Sequence, residues 1–171
     1  AFLPGVVPGL YAAVNALSEP GGKVVTMVPV YHPFHLAITN LGREVVGVPL
    51  LDSGSRWEID WDALDAACAD ADLLMLCHPH NPTGRTFSAE ELALIGRLAE
   101  RHDAVVLTDE VYEHLLFDGR THTPLATLPG MRERVALLGG VGIALRSTWR
   151  PATIAPGRRW RASPDRRRTT T

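Results

Sequence analysis

The sequence predicts an α/β fold, a mainly parallel sheet flanked by helices, and three observations predict it. Residues 73–84 and 105–112 each open on a short apolar run bounded by polar residues, the pattern of a strand buried on both faces. Each stretch then closes on a cluster of polar side chains. Between them, Ser88 to His102 sets Leu92, Ile95, Leu98 and Ala99 at the spacing of a helix with one buried stripe. A strand, crossover helix, strand unit places both carboxyl ends side by side on one edge of the sheet, where open α/β folds bind ligands. Asn81 and Asp109 are therefore expected to face one crevice.

Taken in order, Phe2 to Leu10 reads as a turn feeding a helix with apolar positions at Leu10, Val14 and Leu17, stopped before Pro20-Gly21-Gly22. Gly5, Val6 and Val7 then sit at a helix amino terminus, where free N–H groups and the helix dipole suit a phosphate. A Gly-Pro turn that only caps the helix is the plain alternative. Lys23 to Val28 is the next strand, followed by Tyr31-His32-Pro33, and a helix beginning near Phe34 stops at Asn40-Leu41-Gly42. Glu44 to Leu50 supplies another strand, residues 52–57 a polar loop, and Asp60 an N-cap for the helix that follows. His32 and His35 have the spacing of metal ligands, but no third ligand converges on them, and they read as polar loop residues. The order is strand, helix, strand, helix, with no internal repeat.

At 171 residues and 46% hydrophobic content the chain has enough apolar material for a sizeable core. No stretch approaches the roughly 18 uninterrupted apolar residues of a membrane span. There is no charged n-region followed by an apolar h-region, so nothing points to secretion. Cys68 and Cys77 read as reduced, packed thiols of a cytoplasmic protein. The net charge of −2 implies neither a nucleic-acid nor an anionic-membrane partner. That average conceals a division: residues 1–142 carry nine basic and 18 acidic side chains, residues 143–171 eight arginines and one acid. A boundary is expected there, between a domain over 1–142 and an atypical Arg-rich tail over 143–171.

His80-Asn81-Pro82-Thr83-Gly84, followed 28 residues after Asn81 by the Asp109 of Thr108-Asp109-Glu110-Val111-Tyr112, resembles the pyridoxal phosphate (PLP) enzymes of fold type I, the class I/II aminotransferases. The chain also resembles the cystathionine β-lyase-like branch of C–S lyases within that group. The match runs from about Phe2 to about Gly142, the middle of such an enzyme. The resemblance implies a partial PLP-binding large domain, amino acid and 2-oxo acid substrates, and a homodimer for the intact family enzyme. It implies that Asp109 pairs with the ring nitrogen, that Asn81 and Tyr112 donate to the phenolic oxygen, and that Tyr31 stacks on the ring. Gly5, Val6 and Val7 match the phosphate turn, here with backbone donors in place of the usual hydroxyls. Apart from the resemblance, a strand-end Asp often caps a turn and Tyr31 often packs one.

Tyr112, three residues after the Asp, leans toward an aminotransferase. Residues 29–34, 42–46 and 78–82 lean toward the lyase branch. The family also needs a lysine that holds the cofactor covalently and moves the Cα proton. Ile143 stands where the resemblance asks for it, and the single lysine, Lys23, lies on another element. Past Ile143 no helical or alternating pattern survives, so residues 143–171 read as a frame-shifted, disordered ending. The expected function is an aminotransferase fragment without turnover, with PLP-dependent β-elimination at a C–S bond as the alternative. From another class, the competitor is a non-catalytic α/β binding module with a basic tail.

Overall fold

The computed structural model describes residues 2–117, 119–140 and 152–155. Ile143 and most of the basic stretch lie outside them. The elements follow the chain as β1 (Phe2–Leu3), α1 (Val6–Leu17), β2 (Lys23–Val28), α2 (Pro33–Thr39), β3 (Glu44–Pro49), β4 (Leu51–Asp52), β5 (Trp57–Glu58), α3 (Trp61–Cys68), β6 (Leu73–Cys77), α4 (Ala89–Arg101) and β7 (Val105–Asp109). Two 3-10 turns, Leu125–Thr127 and Met131–Glu133, lead into β8 (Val135–Gly140), and β9 (Ala152–Ala155) completes the described elements. Seven strands form one sheet in the order β1-β9-β8-β7-β6-β2-β3. β3, β2, β6, β7 and β8 are mutually parallel. β9 runs antiparallel to both β8 and β1. The parallel α/β prediction holds.

β6 shows why the apolar runs make central strands. All five of its residues are buried, because side chains alternate between two covered faces. Leu73, Met75 and Cys77 join Leu10, Val14, Phe34 and Ile38 in one core. Leu74 and Leu76 join Leu64, Leu92, Ile95 and Leu98 in the other. Thus α1 and α2 cover one face, α3 and α4 the opposite one. Gly9 lets α1 come close: a Cβ there would lie 2.8 Å from Leu138 Cδ2 on β8. Helix α4 starts at a capping box, in which Ser88 Oγ accepts from Glu91 N at 3.2 Å and Glu91 Oε2 accepts from Ser88 N at 2.8 Å. Asp60 caps α3 by accepting from Ala63 N, as its sequence position predicts.

Two elements have no periodic pattern in the sequence. Residues 52–57, read as a loop, contain the turn of a two-stranded hairpin in which Leu51 pairs with Glu58. Its tip is an Asx turn, Asp52 Oδ1 accepting from Gly54 N at 2.8 Å, with Gly54 at φ +79°. Strand β9 falls within the span that shows no alternating pattern; its four residues pair with β8 from Leu137↔Ala155 to Gly140↔Ala152. Both cysteines are free and buried, as read from the sequence.

Candidate cofactor site

The register Cys77↔Asp109 puts the carboxyl ends of β6 and β7 side by side. His78 N donates to Asp109 O at 2.9 Å, extending the ladder one residue into the loop that carries Asn81. Asn81 N then donates to Cys77 Sγ at 3.4 Å, while its side-chain Nδ2 donates to the Tyr112 hydroxyl at 3.2 Å. The structure therefore joins Asn81 and Tyr112 directly, 31 residues apart in sequence.

Asp109 is 2% exposed. Its Oδ1 accepts a 3.3 Å bond from Val111 N, and among the described residues it has no ion-pair partner. Burial pushes its carboxyl up to about 7, the Val111 bond opposes this, and the neighbouring charge of Glu110 adds to it. Burial also raises the Cys77 thiol, with Asp109 the next cause. The Tyr112 hydroxyl is raised first by burial; Asn81 lowers it, and Cys77, Asp109 and Tyr31 raise it further. Strands β2, β6 and β7, adjacent in the sheet, carry Tyr31, Cys77, Asp109 and Tyr112 at or just beyond their carboxyl ends. Tyr31 itself is 38% exposed and presents a ring to solvent there.

Gly5, Val6 and Val7 open α1, and no side chain caps that end. The carboxyl end of α1 feeds β2, and its 12 residues span about 18 Å at 1.5 Å each, close to the length of a six-residue strand. Gly9, in the first turn of α1, lies against Leu138, the residue of β8 that pairs with Asp109. Lys23 opens β2, paired with Glu44, and so lies at the far edge, about 20 Å of strand away. A cavity of about 760 Å³ adjoins the site. Asn81, Tyr112, His80, Arg85, Arg56 and Leu115 line it; Asp109, Tyr31 and residues 5–7 do not.

Pattern reading missed a buried group beneath this edge. Glu110 is 0% exposed; its Oε1 accepts from Thr108 Oγ1 and Leu125 N, each at 3.1 Å, and its Oε2 from His122 Nε2 at 2.8 Å. The His122 ring stacks on His78 at 4.7 Å. Burial first, then the charge of His122, lowers His78 to about 3, and burial followed by Arg85 lowers His80 to about 4. Burial thus disfavours the charged form of both imidazoles. Glu110, Glu113 and His122 lie close enough for a cation, but both Glu110 oxygens are already engaged by protein donors. The one available signal was an acid directly after a strand-end Asp, in a chain position with little access to water.

A doubly covered parallel sheet with polar groups at its carboxyl edge is the arrangement in which open α/β folds bind ligands. The family described as aminotransferase class I and II matches residues 1–146, and the chain belongs to that family. It is 41% identical over 129 residues to the cystathionine beta-lyase PatB of Bacillus subtilis, covering 74% of this chain and 33% of that protein. It is 43% identical over 131 residues to the probable N-succinyldiaminopimelate aminotransferase DapC of Mycobacterium tuberculosis, covering 76% and 33%. Among solved structures, cystalysin of Treponema denticola, which contains pyridoxal 5'-phosphate, superposes with a TM-score of 0.87 at 26% identity, over 94% of this chain and 42% of that one. The chain spans about a third of the length of these curated relatives.

Proposed function

We propose that this chain carries the ring-binding part of a PLP site belonging to an aminotransferase that acts on amino acids and 2-oxo acids. The observation that carries the reading is Asp109. A carboxylate excluded from water, with one long hydrogen bond and no cation among the described residues, is poorly satisfied, and a protonated pyridine nitrogen would fit it as a partner. The donor set beside it fits the same ring, since the amide of Asn81 and the hydroxyl of Tyr112 already meet and can turn to one anionic oxygen. Tyr31 offers an aromatic face, and the first N–H groups of α1, at Gly5, Val6 and Val7, offer a phosphate seat.

When bound, PLP supplies an electron sink for the negative charge that develops at an amino acid's Cα. Asp109 holds the proton on the ring nitrogen, because an ionised carboxylate favours the charged form of the base it touches. Asn81 and Tyr112 stabilise negative charge on the phenolic oxygen by donating to it. No described side chain supplies the amine that would bind the cofactor covalently, and Lys23 stands at the opposite edge. The chain by itself is therefore read as a fragment that binds PLP without turning it over. β-Elimination at a C–S bond is the second reading, favoured by the likeness to the cystathionine beta-lyase.

Mixing the protein with PLP and recording the visible spectrum tests this. Wild type is expected to perturb the cofactor absorbance, Asp109→Ala to abolish the perturbation, and borohydride to fix no cofactor at the site. An unperturbed wild-type spectrum rejects the proposal.

A further inference from the structure

We propose that Glu110 and His122, with His78 stacked on His122, are positioning residues that hold the turn bearing Tyr112 at a set distance from the loop bearing Asn81. This rests on the PLP reading in taking Asn81, Asp109 and Tyr112 as the groups that grip the ring.

Glu110 lies between two of those groups in sequence. Along an extended chain successive side chains point to opposite sides, so fixing Glu110 downward fixes Asp109 upward. The anchorage of Glu110 is unusually complete. Its backbone N donates to Leu138 O at 2.8 Å, locking it to β8, and its carboxylate takes three donors from β7, from the 3-10 turn and from the loop between them. Thr108, two residues back, is one of these donors, as the period of two requires. His122 then carries the restraint sideways. Its ring stacks at 4.7 Å and 27° on His78, the first residue after β6, and Phe87 N donates to His78 Nδ1 at 3.4 Å. The result is a buried strap that joins the end of β7 to the loop after β6, the two segments whose Tyr112 and Asn81 make the 3.2 Å contact. Both ends of that contact lie on turns, and the strap adds a side-chain restraint to the bonds already there, from Asn81 N to Cys77 Sγ and from Val111 N to Asp109 Oδ1. Holding them in place removes an ordering cost from ligand binding.

The test compares wild type with Glu110→Ala, Glu110→Gln and the distant core variant Leu98→Ala, a destabilised control. In the protein without cofactor, NMR reads the contact between the Asn81 side-chain amide and the Tyr112 ring; with PLP added, the visible spectrum gives affinity and environment. Glu110→Ala is expected to lose the NMR contact and to weaken PLP binding by about tenfold, the size of one well-placed charged hydrogen bond. Its bound cofactor should absorb more like free PLP. Glu110→Gln keeps the shape and most of the hydrogen bonds, and should restore both readouts to near wild type. Leu98→Ala should lower the melting temperature and leave both unchanged. If Glu110→Ala retains the contact, or if Leu98→Ala loses it equally, the strap has no positioning role and the inference is overturned. Should wild type fail to perturb PLP, the cofactor reading fails, while the NMR arm still decides the inference. If Glu110→Ala does not fold, His122→Phe, which keeps the stacked ring and removes only the donor to Glu110, is subject to the same outcomes.

Discussion

A carboxyl group held up to about 7 by burial makes Asp109 a source of pH-dependent stability. An unfolded chain releases this proton near pH 4 (about 3.9), so the folded state binds it more tightly. Stability is then greatest below the unfolded value, falls as the pH climbs through about 7, and levels off once the folded group has ionised. Asp109→Asn removes the penalty of ionising there. Denaturant unfolding of the variant and wild type should give similar stabilities near pH 4. By pH 8 the variant should gain on the order of 4 kcal/mol over wild type. A constant difference across that range would show that Asp109 is not desolvated. Adding PLP should shrink the gap in wild type, because a cationic partner relieves the same penalty. The adjacency of the chain ends that carry Asn81 and Asp109 was legible because each follows or ends an apolar run, whereas Tyr112 was singled out by the resemblance alone. Glu110 and His122 were not: they meet across 12 residues of loop, and neither periodicity nor a turn signal links them.

Among the elements, α4 and β6 were the easiest to read, and each for a reason that can be measured. Ser88 satisfies a free N–H at the start of α4 while Glu91 returns the bond, and Arg85 also pairs with Glu91. Ser88→Ala should cost about 1 kcal/mol. Leu76, fully buried on the face of β6 covered by α3 and α4, packs in the core instead of capping an end. Leu76→Ala should cost about 2–5 kcal/mol, because a cavity is added to the lost transfer energy. Thermal or denaturant unfolding should therefore rank the two clearly, and comparable losses would contradict the packing described. The hairpin of β4 and β5 went unread because each strand has two residues, too few for any alternation to show. Only its Asp-Ser-Gly-Ser tip carries a signal, and that signal marks a turn without saying what the turn joins.

At the scale of the whole molecule, charge and topology divide the chain differently. Charge breaks after residue 142, and on that ground 143–171 reads as a tail outside the domain. The sheet does not stop there: β9 lies between β8 and β1, and β1 has no other partner in the sheet order. The place of β9 is set by the backbone ladders it forms with β8 and β1. Removing residues 143–171 should therefore do more than shed arginines. It would leave one edge of β8 unpaired and detach β1, which lies just before the turn at Gly5 that opens α1. The truncated protein should melt lower, and the β8 amides that face β9 should exchange with solvent faster than those of β6. The amides of β6, shielded by strands on both sides, should change least. If truncation leaves the melting temperature and the β8 exchange rates unaltered, the charge break marks the true domain boundary and β9 contributes nothing to the fold.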